Sequence, residues 1–178
     1  MNQALKQILI LSLFVLTVHT RVNAAMLALD GQWLDEDNLI TSIVQSNDKI
    51  VINNKSGDTS TEMNGVVSGN TIIVKIDQQS LTGEISEDNL IITWKNGSKW
   101  FRDLSGVWEN QIGLCLNIEQ IGSFVRIKDY KGQVESVGFI KDDGIVVIAK
   151  KDKKTSAGEL IESNGISWGD GSSWKKKD

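Results

Sequence analysis

The sequence of 178 residues contains no proline, a single cysteine and a single histidine. Without proline, every reversal of the chain has to use Gly, Asn or Asp, which suits tight hairpins between consecutive strands. One cysteine, Cys115, excludes an intrachain disulfide framework and a cysteine metal cluster. Because Cys115 lies between apolar residues, we expect it to be a small buried hydrophobe rather than a reactive thiol.

The only histidine, His19, lies in an N-terminal stretch that is typical of an export signal. Lys6 precedes an apolar run of 11 residues, Ile8 to Val18, and the small residues that follow predict cleavage after Ala24 or Ala25. The run is shorter than the roughly 20 residues that span a bilayer, which disfavours an uncleaved anchor. We therefore expect residues 1–24 to be a signal peptide, and the mature chain to be secreted or periplasmic with no membrane span.

Removal of that segment leaves a mature chain without histidine. Such a chain lacks the usual general base, the commonest metal ligand and the usual pH switch. The whole chain has a net charge of −4, and the leader carries two positive charges, Lys6 and Arg21, and no acids, so the mature chain has −4 − 2 = −6. An acidic surface disfavours nucleic acid as a partner. No phosphate loop, dinucleotide fingerprint or calcium-loop pattern is present, and we expect no cofactor.

What the sequence does contain is an internal repeat. Residues 94–100 read WKNGSKW and residues 168–174 read WGDGSSW, while a Gly-x-Trp occurs at residues 31–33 and again at 106–108. With small shifts of register, all six tryptophans fall at matching places, three to a copy. Such self-similarity indicates a duplicated unit of about 75 residues, with one copy at 25–103 and the other at 104–178.

Within each copy, short apolar and β-branched runs recur every 8 to 12 residues, separated by Gly, Asn, Asp and Ser. No helical period is sustained after the leader, so the pattern predicts an all-β protein of two tandem repeats. We expect each repeat to form a small antiparallel meander or barrel-like lobe, and a single larger barrel built from both copies is the alternative. The predicted strands are 31–35, 39–46, 49–54, 62–67, 71–77, 80–86, 89–94 and 99–102, followed by 106–109, 114–120, 124–130, 135–140, 145–150, 156–161, 165–168 and 173–176.

The Gly-x-Trp at the first strand of each copy resembles that of the calycins, the barrel family of lipocalins and avidins. The resemblance covers three residues per copy. It implies an up-and-down antiparallel barrel in which the first-strand tryptophan, Trp33 or Trp108, packs against one end.

The hairpin tryptophans are the main candidates for a binding site. Strand alternation places Trp94 on the apolar face of its strand. A loop of three or five residues would set Trp100 opposite it on that face, whereas a two-residue Asn-Gly loop would put the two tryptophans on opposite faces. Trp174 has either to fold inward over Trp168 or to stand exposed. A cross-strand aromatic pair that closes the barrel is one interpretation, and a stacking platform for a sugar or a flat apolar ligand is the other. The candidate ligand-binding residues are Trp94, Asn96, Trp100, Trp168, Asp170 and Trp174.

Carboxylates give a weaker signal for catalysis. Glu84 and Glu159 occupy equivalent places and are candidates for glycoside hydrolysis, but each needs a partner carboxylate at a suitable distance. The sequence therefore favours a non-enzymatic exported protein that binds a carbohydrate or small apolar ligand at tryptophan-lined ends of its two lobes. The alternative is a secreted protein-interaction module, an inhibitor or adhesion factor, in which all tryptophans are structural.

Overall fold

The first repeat folds into a closed antiparallel barrel of eight strands, as seen in a computed structural model that describes residues 28–56, 59–161 and 164–177. Each strand pairs with the next along the chain, and β1 pairs with β8 to close the sheet. The strands are β1 (Gly31–Asp35), β2 (Ile40–Ser46), β3 (Lys49–Ser56), β4 (Thr59–Ser68), β5 (Thr71–Ile76), β6 (Gln79–Ile85), β7 (Ile91–Trp94) and β8 (Lys99–Arg102).

The second repeat forms another closed barrel with the same order of strands, and β9 pairs with β16. Its strands are β9 (Gly106–Asn110), β10 (Cys115–Ile121), β11 (Phe124–Lys128), β12 (Val134–Lys141), β13 (Gly144–Ala149), β14 (Thr155–Ile161), β15 (Gly165–Trp168) and β16 (Ser173–Lys176). The all-β prediction with two barrel-like lobes is confirmed, and the single larger barrel is not formed. The expected signal peptide, residues 1–24, lies outside the described residues.

The chain reverses without proline, as its composition predicts. Turn residues with positive φ fall at matching places in the two repeats: Asn38 and Gly113 (64° and 79°) end the first turn of each barrel, and Asn47 and Gly122 (56° and 52°) begin the second. Asn and Gly adopt the left-handed region most readily, so either residue serves in the same turn. Within the described residues, no helix is long and apolar enough to cross a membrane.

Each barrel is filled by the inward-facing residues of its strands. In β5, for example, Ile72 and Val74 are buried while Ile73 is exposed, as strand alternation requires. The core of the first barrel includes both Trp33 and Trp94, and the core of the second includes Trp108 and Trp168. A barrel of eight strands has an interior just wide enough for side chains to fill, and these two are filled in that way.

The two barrels contact each other asymmetrically. On the outer face of the first barrel, Leu34, Phe101 and Ile91 form one cross-strand row and are buried. Phe101 and Ile91 join the apolar core cluster of the second barrel. The equivalent row of the second barrel, Glu109, Lys175 and Gly165, is polar.

Polar contacts accompany this interface. The backbone N–H of Gly122 donates to Asn38 Oδ1 at 3.4 Å, and Lys99 Nζ lies 3.8 Å from Asp142 Oδ1. Beside these contacts a cleft of about 600 Å³ opens between the barrels, lined partly by Ile91 and Phe101. Apolar packing therefore joins the barrels, together with these contacts and a buried hydrogen bond from Gln120 Nε2 to Arg102 O at 3.1 Å.

Candidate functional site

The first hairpin end is formed by Trp94 and Trp100. Residues 95–97 form a three-residue loop in which Trp94 N–H donates to Ser98 O, and Gly97 N–H donates to Trp94 O, both at 2.9 Å. Gly97 has a φ of 90°, the conformation that a three-residue hairpin needs at its last position. The loop is odd-numbered, so both tryptophans share the inner face. Trp100 pairs with Ile92 rather than with Trp94, which corrects the expected direct opposition.

The two indoles meet edge to face, with ring centroids 4.7 Å apart and planes at 70°. The second barrel repeats the pair: the centroids of Trp168 and Trp174 are 4.8 Å apart at 59°. Trp94 and Trp168 are only 2% and 5% exposed, whereas Trp100 and Trp174 are half-buried and pack against the cores. Trp174 therefore folds inward, and each end has one buried indole and one partly open indole.

A glycine across the sheet makes room for each buried indole. Gly83 pairs with Trp94, and Gly158 pairs with Trp168. A Cβ at Gly83 would lie 2.9 Å from Trp94 Cε3, and a Cβ at Gly158 would lie 2.8 Å from Trp168 Cε3. The indole rings thus lie over bare backbone, a relation that the sequence repeat contains but that pattern analysis did not identify.

The polar candidates of the two hairpins act within their own turns. Asn96 Oδ1 accepts the backbone N–H and the hydroxyl of Ser98, at 3.1 and 2.8 Å. Asp170 Oδ1 accepts the same two groups of Ser172, at 2.9 and 2.7 Å. These hydrogen bonds from Ser172 hold the pKa of Asp170 below its ordinary value. Both residues are exposed, so a ligand at the hairpin end would meet a turn whose acceptors are already in use.

The buried indoles share one feature that packing does not explain. Trp94 Nε1 and Trp168 Nε1 are buried and have no hydrogen-bond acceptor among the described residues. A buried donor without an acceptor costs free energy, on the order of 1–3 kcal/mol. The same unpaired donor thus occurs at the same place in both barrels.

The opposite end of each barrel is closed by the first-strand tryptophan. Trp33 Nε1 donates to Leu29 O at 3.1 Å, and Trp108 Nε1 donates to Leu104 O at 2.8 Å. Arg102 lies over the Trp33 ring at 4.7 Å. Trp33 and Trp108 are fully buried, as expected of packing residues.

Sequence reasoning missed the cations that cover these tryptophans. Arg102 donates to the carbonyls of Ala28, Asp30 and Asn89. Its equivalent Lys176 lies 5.9 Å from the Trp108 ring and donates to Asp103 O. Burial lowers the pKa of Arg102 to about 10, with Asp30 opposing the shift, and burial also lowers the pKa of Lys176. Arg102 and Lys176 each lie two residues after a hairpin tryptophan, and this shared spacing is the sequence signal that could have identified them.

The outer faces of the barrels carry a second candidate site. Val66 pairs with Ile73 across β4 and β5, and their repeat equivalents Phe139 and Val146 pair across β12 and β13. All four face outward, and Val66 and Phe139 are 43% and 51% exposed. Around the first pair lies a groove of about 460 Å³, and around the second pair Phe124 packs edge to face on Phe139. Sequence analysis had not singled out these residues.

The remaining candidates do not assemble into a reactive centre. Glu84 and Glu159 are exposed and lie on separate barrels. No group of three or more acidic or cysteine side chains in the described residues is arranged to hold a metal ion. Cys115 is half-buried rather than buried, which corrects the prediction. It begins β10 beside Glu109 and borders an open cavity on the second barrel, because its position faces outward.

Comparison with known proteins gives no family assignment: no family model matches the chain, and neither a curated protein nor a solved structure is detectably similar to it.

Proposed function

We propose that the mature chain is an exported, non-enzymatic interaction module that binds another molecule on the outer faces of its barrels. The observation that carries this proposal is the pair of outward apolar contacts, Val66 with Ile73 and Phe139 with Val146, at equivalent places in both repeats. Grouped exposed apolar residues are characteristic of interaction sites. The filled barrel interiors support an outer rather than an internal site.

The test is site-specific photo-crosslinking in the exporting cells. A photoreactive phenylalanine analogue replaces Val66 or Phe139, and the controls carry it at Lys95 or Lys151, which are exposed in turns of the same barrels. Discrete adducts from the two apolar positions and none from the controls are expected. Adducts of equal yield from all four positions, or from none, contradict the proposal.

A second candidate function is the binding of a carbohydrate or small apolar ligand at the hairpin ends. It is favoured by the partly open rings of Trp100 and Trp174, which pack on the buried Trp94 and Trp168 at equivalent places in both barrels. Two equivalent weak sites would gain by avidity. The Gly-x-Trp that resembles the calycins is in keeping with a ligand-binding barrel. In both barrels, however, that tryptophan closes the end opposite the hairpin and donates to a backbone carbonyl there.

Tryptophan fluorescence separates the two functions. If the hairpin ends bind, a glycan panel shifts the emission of the wild type, and Trp100→Phe with Trp174→Phe abolishes the shift while the protein stays folded. A blue emission that neither quencher nor glycan changes would remove this candidate and leave the tryptophans structural.

A further inference from the structure

One region of the outer face of the first barrel combines exposed aliphatic side chains with basic ones. Four aliphatic side chains cross four adjacent strands: Val44 on β2, Val51 on β3, Val66 on β4 and Ile73 on β5. We call this run the aliphatic diagonal. Val44 pairs with Val51 and Val66 pairs with Ile73, and all four border the groove of about 460 Å³. Val44 is 56% exposed, so the diagonal is open to a partner.

Two lysines lie on opposite sides of the aliphatic diagonal. Lys49 is the β3 neighbour of Val66, and Lys75 lies on β5 two residues beyond Ile73, opposite Asn64. Both lysines are exposed, and both border the groove. No carboxylate is among the groove-lining residues, although residues 25–103 contain 12 acidic and 6 basic side chains. The lining of the groove therefore carries positive charge on an acidic barrel, and Glu62 and Glu84 lie beyond it on the same outer face.

We propose that this face binds an acidic amphipathic helix of a partner protein, whose apolar ridge lies along the aliphatic diagonal and whose carboxylates meet Lys49 and Lys75. The proposal rests on the proposed function and names the partner of that same site. Charges on both flanks of an apolar run match a helix that carries carboxylates on both sides of its ridge. A ligand with a single charge would use only one lysine.

The geometry favours a helix over an added strand. Because β1 pairs with β8, the described part of the first barrel closes without an unpaired edge for strand addition. Neighbouring strands lie about 4.8 Å apart, so four strands span about 15 Å. That distance equals about ten residues of helix at 1.5 Å per residue. The chain's own leader does not fit, because its charges, Lys6 and Arg21, have the sign of the lysines.

The experiment measures the fluorescence anisotropy of labelled synthetic helices on the mature chain. One peptide has a leucine ridge flanked by glutamates, and its partner has every glutamate replaced by lysine. The acidic peptide is expected to bind, more weakly at high salt, and the basic peptide not to bind. Lys49→Glu with Lys75→Glu is expected to weaken acidic-peptide binding about tenfold or more and to create binding of the basic peptide.

The matched control is Lys95→Glu, which changes an exposed lysine in the hairpin turn of the same barrel and should leave binding unchanged. Equal binding of both peptides, or indifference to the double reversal, overturns the proposal. So does binding of oleate without the acidic peptide, or a dimer of the chain that the double reversal dissociates. Crosslinks from position 66 without acidic-peptide binding would leave the proposed function standing and this inference refuted.

Discussion

At the scale of single residues, the hairpin tryptophans are placed by what lies across the sheet from them. The rings of Trp94 and Trp168 occupy space that a side chain would otherwise fill, and Gly83 and Gly158 leave it open. Protein interiors are close-packed, so a methyl group in that space has to displace the ring or the strand. Glycine in a strand interior is otherwise unfavourable. The space that the indole across the sheet needs explains why glycine occupies these two positions.

Gly158→Ala should therefore destabilise the protein by about 1–3 kcal/mol, because the new Cβ meets Trp168 at 2.8 Å. Urea unfolding followed by tryptophan fluorescence measures the change. Gly169→Ala is the control, since its Cβ meets only Ala157 O at 3.6 Å, an ordinary contact. Equal unfolding midpoints for the two variants would show that the indole does not need the glycine.

Asp170 gives a pH dependence that its equivalent Asn96 does not. Hydrogen bonds from Ser172 lower the pKa of Asp170 in the folded state, so its carboxylate contributes stability above the ordinary value of 3.8. That contribution is lost as the pH falls from 3.8 through the lowered pKa. Asp170→Asn should reduce the acid sensitivity of the melting temperature and Asn96→Asp should increase it. Identical pH profiles for the wild type and both variants would refute the assignment.

At the scale of elements, the last strand of each barrel both closes the sheet and covers the first-strand tryptophan. Arg102 lies at the end of β8, beside Trp33 on β1. It donates to two carbonyls of the segment before β1, Ala28 O and Asp30 O, and to Asn89 O in the turn between β6 and β7. Its planar guanidinium presents several donors in fixed directions. Lys176 on β16 has one such acceptor, Asp103 O at 3.2 Å. The pairing of β1 with β8 is therefore supported by more side-chain hydrogen bonds than the pairing of β9 with β16.

Arg102→Lys should destabilise the first barrel by about 1–3 kcal/mol, because an ammonium cannot reach all three carbonyls and charged hydrogen bonds to part-buried acceptors are lost. Chemical denaturation measures the loss. Lys95→Arg, an exchange at an exposed turn position, serves as the neutral control. A stability unchanged in both variants would show that the carbonyls find other donors.

At the scale of the whole molecule, the interface between the barrels is not reciprocal. The first barrel offers Leu34, Phe101 and Ile91, and the second barrel has Glu109, Lys175 and Gly165 on its equivalent row. A repeated apolar row would present the same contact to a further copy and favour open-ended association. The row of Glu109, Lys175 and Gly165 on the second barrel does not offer that apolar contact.

Phe101→Ser should remove this contact, destabilise the protein by about 3 kcal/mol and separate the unfolding of the barrels into two calorimetric transitions. Val44→Ser is the control, because Val44 faces outward on the same barrel and is 56% exposed. That control should change stability by less than about 0.5 kcal/mol. A single transition with an unchanged midpoint in Phe101→Ser would mean that Phe101 does not couple the barrels.

Much of this architecture follows from local signals. Strand alternation, the turn residues and the matching tryptophans predicted sixteen strands in two repeats, and the observed bounds differ mainly at the ends, as for β4, which begins at Thr59 rather than residue 62. Strand alternation also predicted the inner face of Trp94, whereas the sequence left the face of Trp100 open and the three-residue loop of the structure decides it. The predicted features depend on neighbours in sequence, where periodicity and turn chemistry act.

The sequence by itself determined that the protein is a duplicated all-β chain with tryptophans at equivalent places, because the repeat and the two-residue period are written in residue order. Only the tertiary structure decided the rest: the glycines under the indoles, the cations over Trp33 and Trp108, and the aliphatic diagonal beside Lys49 and Lys75. Each of these three features brings together residues that are distant in sequence. Only strand pairing and closure of the sheet place them side by side, so no local sequence pattern predicts them.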